Sequence, residues 1–445
     1  MAKGFLEIIK EKVGDGNYAG DQYGGASGST GSGLPDSYAG NFLFATGIEC
    51  SYPMIDNGRT RRDQLEECGH YKFWRQDIQL VKELGLKVLR YGLPYYKVNY
   101  AQGKYDWSFA DEVMNEIKKC GITPILDLLH FGLPSWLGNF QNPEFPIHFA
   151  DYAAEVSKRY PWVRYYTPVN EIYVTAKKSA KEGIWNEQMK DDKSFVNALK
   201  HSVAASILAT HRIVQQRPDA IFVQSESAEY IHEVKADLSP EVRLQNKQRL
   251  LSFDLLYAIP PDADICMYLM DNGLTREEFR WFMTGEPPGY QIMGNDYYGR
   301  NESIIMPDGR ISTAEDVMGW YQITSDYYKR YKKPVMHTET NTFDAAQAPT
   351  WLWKQWVNIM RMRSDGVPVL GFTWYSLTDQ IDWDCGLAQK NNKVNECGLY
   401  DLNRNPRPVC EAYKMLLKEF GQITIVPHGE LFEITNKDAK LKVEV

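Results

Sequence analysis

The sequence predicts an α/β protein, a single-domain closed (β/α)₈ barrel of the TIM type, and three observations carry that prediction. Eight short β-branched or apolar runs alternate with longer helical patterns from residue 41 onward, the signature of parallel strands joined by crossover helices. The run ends recur about one βα unit apart, with a longer insertion after the fifth. The chain has 445 residues, 43% of them hydrophobic, so it can bury the core such a barrel needs.

In order, the strand runs are FLFATGIE (42–49), LKVLRYGL (86–93), ITPILDLLH (122–130), VRYYTPVNE (163–171), AIFVQSESAE (220–229), YQIMGNDYY (290–298), KPVMHTETN (333–341) and VLGFTWYSL (369–377). Helical patterns fill the intervals over 71–85, 108–121, 145–160, 197–216, 240–259, 314–331 and 349–363, and a last one covers 410–421. Ser108 reads as an N-cap and Thr275 with Glu278 as a capping box for an extra helix in the insertion. The organisation is then 1–40, an N-terminal helix and Gly-rich flexible segment; 41–421, the barrel; and 422–445, a short β appendage. Nine glycines lie between Gly14 and Gly40, in a stretch that fits neither GxGxxG nor GxxxxGK[ST] and reads as a linker.

Charge and composition exclude several classes of function. Lys and Arg number 50 against 58 Asp and Glu, a net charge of −8 that repels polyanions, so no nucleic-acid partner is expected. No apolar stretch reaches membrane-spanning length and the N-terminus lacks a signal-peptide core, so the expectation is a cytoplasmic protein with no membrane partner. The seven cysteines form no CxxC pair and suit a reducing compartment. Neither they nor the eight histidines show metal-ligand spacing, so no metal and no cofactor is expected. Composition assigns no oligomeric state.

In a barrel of this kind chemistry sits at the C-terminal ends of the strands. The runs end on Glu49, Arg90 and Tyr91, His130, Asn170 and Glu171, Glu226 and Glu229, Asn295, Asp296 and Tyr298, Glu339 and Asn341, and Trp374, Tyr375 and Asp379. Several acids crowded into one mouth can hold one carboxyl neutral and another ionised, which glycoside hydrolysis with retention requires. Glu171 and Glu339 are the best pair, since each ends an apolar run on opposite sides of the ring. Asn170 is placed to bond a sugar hydroxyl, and Arg90 and Tyr298 to keep Glu339 ionised and oriented.

VRYYTPVNEIY and HTETN resemble the acid–base and nucleophile strands of family 1 of the glycoside hydrolases. HYKFWRQDIQLVKELGLKVLRYGLPYYKV, GITPILDLLHFGLPSWL, MGNDYYG, WYSLTDQIDW and CGLYDLNRNPRPVCEAY are similar to further family segments in the family's order, over roughly residues 41–421. The resemblance implies Glu171 as general acid/base and Glu339 as nucleophile, and a substrate-binding set of Glu49, Arg90, His130, Asn170, Tyr298, Asp382 and Trp383, to which Trp374 is added by its place at a strand end. The family's proline after the acid/base is Ile172, its first-strand Gln is most nearly matched by Glu49, its late Glu is Asp382, and the Trp of its WSL is Tyr375. These departures bear on the sugar more than on the reaction. The implied function is a retaining exo-β-glycosidase, β-glucosidase- or β-galactosidase-like, acting without a cofactor on a small β-glycoside or oligosaccharide. The alternatives are a transglycosidase using the same intermediate and a catalytically silent sugar-binding barrel.

Other features read as structural. Glu226 and Glu229 suit hydrogen-bonded strand-end acids, His201 and His211 ordinary helix positions, and KKSAKEG (177–183) a solvated surface. Trp136, Trp185, Trp374 and Trp383 are expected to stack on sugar faces, and Trp351, Trp353 and Trp356 to pack in the core.

Overall fold

A computed structural model describes residues 3–13, 42–234, 238–314 and 316–424. Eight parallel strands close into a barrel: β1 Leu43–Gly47, β2 Val88–Gly92, β3 Thr123–Asp127, β4 Tyr165–Thr167, β5 Ile221–Ser227, β6 Tyr290–Asp296, β7 Val335–Glu339 and β8 Val369–Trp374. Each pairs with its sequence neighbours, and β8 returns to β1 through Leu43 opposite Gly371 and Thr46 opposite Trp374. All eight predicted runs are barrel strands, in the predicted order.

Inside the barrel Ala45, Val88, Ile125, Ile221, Val223, Ile292, Met336 and Leu370 form an apolar cluster separate from the outer one between strands and helices. Side chains alternate along a strand. Two residues beyond Val88 and Ile125 the same inward face therefore carries Arg90 and Asp127, and four beyond Ile292 it carries Asp296. The floor of the site is thus the last interior layer turned polar. In β7 the pairing with β6 shifts between Met336 and Glu339, so Glu339 departs from simple alternation.

Helices cover the barrel, the longest over Asp192–Gln216 with Asp191 accepting the Ser194 N–H at 2.8 Å as its cap. The N-terminal helix Phe5–Val13 buries Phe5, Leu6, Ile8 and Ile9, and the Phe5 ring meets Trp281 edge-on at 5.8 Å. The Thr275–Glu278 capping box is present. Ser108 is not a cap: it is the first helical residue, and Asp106 accepts its N–H at 3.0 Å. The helix expected over 240–259 is two, Pro240–Gln248 and Leu251–Leu256. At the break the Tyr327 and Tyr331 hydroxyls donate to the Arg249 and Leu250 carbonyls at 3.1 and 3.0 Å.

The insertion also adds a strand, Tyr230–Glu233, which joins Glu302–Ile305 and Ile311–Thr313 in a small sheet beside the mouth. The Gly-rich segment and the appendage beyond Thr424 lie outside the described residues. Among the described residues all seven cysteines are free, and no helix is long and apolar enough to cross a membrane.

Candidate active site

A cavity of roughly 360 Å³ opens at the C-terminal end of the barrel, within the range of sites that take small molecules. Glu49, His130, Glu171, Tyr298, Glu339 and Trp383, all expected at the site, line it. Arg90 and Asn170 sit immediately beneath.

Arg90 organises the floor. Its Nη1 donates to Glu339 Oε1, and its Nη2 donates to Asn170 Oδ1 and, at 3.2 Å, to Asp127 Oδ2. The Tyr298 hydroxyl takes the other oxygen of Glu339 at 2.6 Å. Both Glu339 oxygens are therefore held, and the carboxylate is buried as an ion pair with a guanidinium. Burial and the Glu339 charge push the Tyr298 phenol well above its ordinary pKa, so it stays a donor. His130 donates from Nδ1 to Asp127 at 2.8 Å and meets the Asn170 amide through Nε2 at 3.1 Å. The Tyr375 ring lies parallel to His130 at 6.2 Å and beside Arg90 at 5.6 Å. It fits there because residue 47 is glycine: a Cβ at Gly47 would stand 2.2 Å from that ring.

Glu171 has the opposite environment. Burial, and then the charges of Asp296, Glu339 and Glu226, raise its pKa well above the usual carboxylate value, against a smaller lowering by His130. Its backbone is left-handed at φ 40, ψ 64, a conformation that costs on the order of 1–3 kcal/mol for a non-glycine residue. A proline at 172 would press residue 171 toward extended backbone; Ile172 leaves the turn open. The turn is pinned by the Glu171 N–H to the Ser225 carbonyl at 3.0 Å and by the Tyr173 N–H to Glu226 Oε2 at 2.9 Å. One carboxyl pushed toward its neutral form and one paired with a guanidinium thus share one cavity.

Glu226 is a hydrogen-bonded strand-end acid, as its sequence context predicts. Burial raises its pKa to about 7, even though the Tyr173 and Ser227 amides and the Ser252 hydroxyl favour the ionised form. A carboxyl raised in the folded state holds its proton where the unfolded chain has lost it, so stability falls as pH rises from the unfolded value toward 7. Relative to wild type, Glu226→Gln is expected to gain stability across pH 5 to 7, by at most ~1.4 kcal/mol per pH unit. Urea denaturation at several pH values checks this, and a pH-independent difference would contradict it.

Several expectations are corrected. Asp382, assigned to the sugar, does not line the cavity: it is fully buried, and its oxygens accept from Arg62 at 2.9 Å and from the amides of Asn391, Asn392 and Lys393 at 2.8, 2.9 and 2.7 Å. Its carboxylate is thus committed to internal donors, three on Oδ2 and one on Oδ1. Trp374 is fully buried behind β8 and donates to the Cys397 carbonyl at 3.0 Å, so it cannot stack on a sugar. Trp136 likewise lies away from the cavity and donates to the Asn99 carbonyl. Trp185 and Trp383 do line it, edge to face at 6.2 Å, and the Trp383 indole N–H has no partner among the described residues. KKSAKEG is not simply solvated. It forms a π-helical turn, Lys177–Lys181, that buries Ser179 and Ala180 and brings Lys178 to the cavity, while Lys177 pairs with Glu229 at 2.6 Å.

Sequence reasoning missed Gln380, Lys178 and Arg300, all cavity residues. Gln380 had the best available signal, as a polar residue two before Asp382; it donates to Glu49 at 3.0 Å, and Glu49 also accepts the Ser51 N–H at 2.9 Å. Burial raises the Glu49 pKa. The barrel also brings Cys50, Asp127 and His130 within 4.8 Å of one another, a metal-ligand set no spacing revealed. Both imidazole nitrogens are already bonded there and the Arg90 guanidinium opposes a second cation, so these residues do not fit a metal.

Residues 52–255 match the model of Glycosyl hydrolase family 1. The chain is 23% identical over 381 residues to Beta-glucosidase-like SFR2, chloroplastic, of Oryza sativa, covering 76% of this chain and 54% of that protein. It is 22% identical to Galactolipid galactosyltransferase SFR2, chloroplastic, of Arabidopsis thaliana, covering 79% and 58%; the chain thus spans little more than half the length of these two relatives. The solved family 1 β-glucosidase of Thermotoga maritima superposes with a TM-score of 0.71 at 18% identity, covering 87% of this chain and 99% of that one. The chain is thus similar to family 1 of the glycoside hydrolases over residues 52–255, and it folds as a closed (β/α)₈ barrel.

Proposed function

We propose that the protein is a retaining exo-β-glycosidase acting through a covalent glycosyl-enzyme. The observation that carries this reading is the opposed state of two carboxyl groups in one cavity: Glu171 raised by burial and like charge, Glu339 ion-paired with Arg90. In the first step a Glu339 oxygen bonds the anomeric carbon while the glycosidic C–O bond breaks and the Glu171 proton passes to the leaving oxygen. In the second, water attacks the same carbon, Glu171 takes its proton, and Glu339 is released. Tyr298 and Arg90 position the nucleophile. Glu49 with Gln380, Asn170, His130 and the unpartnered Trp383 N–H form the polar surface for the sugar, with Gln380 beside Glu49 supplying what Asp382 does not. Carboxyl groups and water supply every step. The free cysteines support a reducing, cytoplasmic setting.

Glu171→Gln tests the assignment. It is expected to slow alkyl glycosides by about 10²–10⁴-fold and activated aryl glycosides far less, since good leaving groups need little proton donation. In wild type the alkaline limb of the pH–rate profile falls above the ordinary carboxylate range as Glu171 loses its proton, and in the variant that limb disappears. Equal slowing across leaving groups defeats the acid role.

Transfer to an acceptor sugar or alcohol is the second reading, favoured by the relative named a galactolipid galactosyltransferase. The same intermediate serves both outcomes, and product analysis with added acceptor separates them.

A further inference from the structure

Charges around the cavity are compensated unevenly. Of the acids lining it, Glu339 pairs with Arg90, Glu229 with Lys177 at 2.6 Å and Asp384 with Lys393 at 2.7 Å, while Glu49 accepts two protein donors and Glu171 favours its neutral form. Among the lining cations, Lys178 is paired with Glu182 at 2.6 Å and His130 is bonded to Asp127. Arg300 differs, because among the described residues it meets no carboxylate. Its Nη1 donates to the Trp383 carbonyl at 3.0 Å, and the guanidinium lies over the rings of Tyr298, Phe343 and Trp383 at 5.3, 4.4 and 5.9 Å. Those three rings and one backbone bond hold it in place. Of the five N–H donors a guanidinium carries, most have no partner among the described residues. Arg300 is exposed, whereas Glu49, His130, Gln380 and Glu339 are buried. It therefore stands at the mouth, where an exo-acting site holds the leaving group.

We propose that Arg300 is an oxyanion-recognition residue of the aglycone subsite, so that the favoured substrates are β-glycosides whose leaving group carries a carboxylate, sulfate or phosphate. A planar guanidinium with open donors binds such groups in bidentate fashion, and among the described residues no carboxylate forms an ion pair with it. The inference rests on the glycosidase reading and adds the chemical class of the aglycone.

The test compares para-nitrophenyl β-glucoside, its ring-carboxylated analogue and para-nitrophenyl β-glucuronide, in wild type, Arg300→Gln and Arg300→Lys. Both kcat/KM and Kd are measured, the latter by quenching of tryptophan fluorescence, since Trp185 and Trp383 line the cavity. Wild type is expected to prefer the ring-carboxylated glucoside over the neutral one by about tenfold or more, with the preference shrinking as salt is raised. Arg300→Gln is expected to lose the preference and Arg300→Lys to keep part of it. The inference is overturned by the absence of that preference in wild type, by its survival in Arg300→Gln, or by its attachment to the glucuronide instead. Binding separates this from the parent reading: an Arg300-dependent preference in Kd without turnover of any glycoside upholds the anion site and defeats hydrolysis. Turnover with no preference does the reverse.

Discussion

Glu339→Ala is expected to abolish glycoside turnover, lowering kcat by about 10⁴-fold or more, because removing an essential nucleophile leaves only positioning and proton transfer. The variant still folds. Arg90 keeps Asp127 as a counterion at 3.2 Å, and the like charge that Glu339 imposes on Glu171 and Asp296 is relieved. The vacated volume beside the anomeric carbon then admits a small anion. Azide is expected to restore turnover of activated aryl glycosides and to yield a glycosyl azide of inverted configuration, since only one displacement occurs. Steady-state kinetics with and without azide, with stereochemical analysis of the product, checks both halves. An unchanged rate in Glu339→Ala would discard the nucleophile assignment.

Arg90→Met carries the largest expected loss of stability, on the order of 3–5 kcal/mol, the cost of leaving buried charges without their partner. Arg90 is nearly inaccessible, and Glu339, Asp127 and Asn170 all depend on it. Turnover should fall with stability, because Glu339 keeps only the Tyr298 hydroxyl to orient it. If the loss arises from unpaired charge, adding Glu339→Gln to Arg90→Met restores part of it, and the two changes are far from additive. Denaturant titration of the single and double variants measures this coupling. Additive losses would mean that the guanidinium contributes packing rather than charge compensation.

The same arrangement explains which site residues were legible in sequence. Arg90, His130, Asn170, Glu171, Tyr298 and Glu339 follow apolar runs directly, so the strand carrying each residue also aims it, and naming the strand is nearly enough to place the group. Asp382 and Trp374 sit at comparable positions and were misplaced for a different reason. Arg62, 320 residues earlier in the chain, and three amides of the 391–393 loop claim the Asp382 carboxylate, and the Cys397 carbonyl claims the Trp374 indole. A competing internal partner is invisible to any local pattern.

The chain's periodicity alone determined the eight strands, their order and the polar mouth, because hydrophobic alternation and crossover helices are set by near neighbours. Only the tertiary structure decided which polar side chains face the cavity. It enlisted Lys178 through a π-helical turn, Gln380 through the short strand Gln380–Ile381 and Arg300 through the 3-10 turn Gly299–Asn301, and it spent Asp382 on holding a loop in place. Side-chain direction beyond a strand end, and the partners a folded chain offers to each charge, depend on residues hundreds of positions apart, and no spacing along the sequence records them.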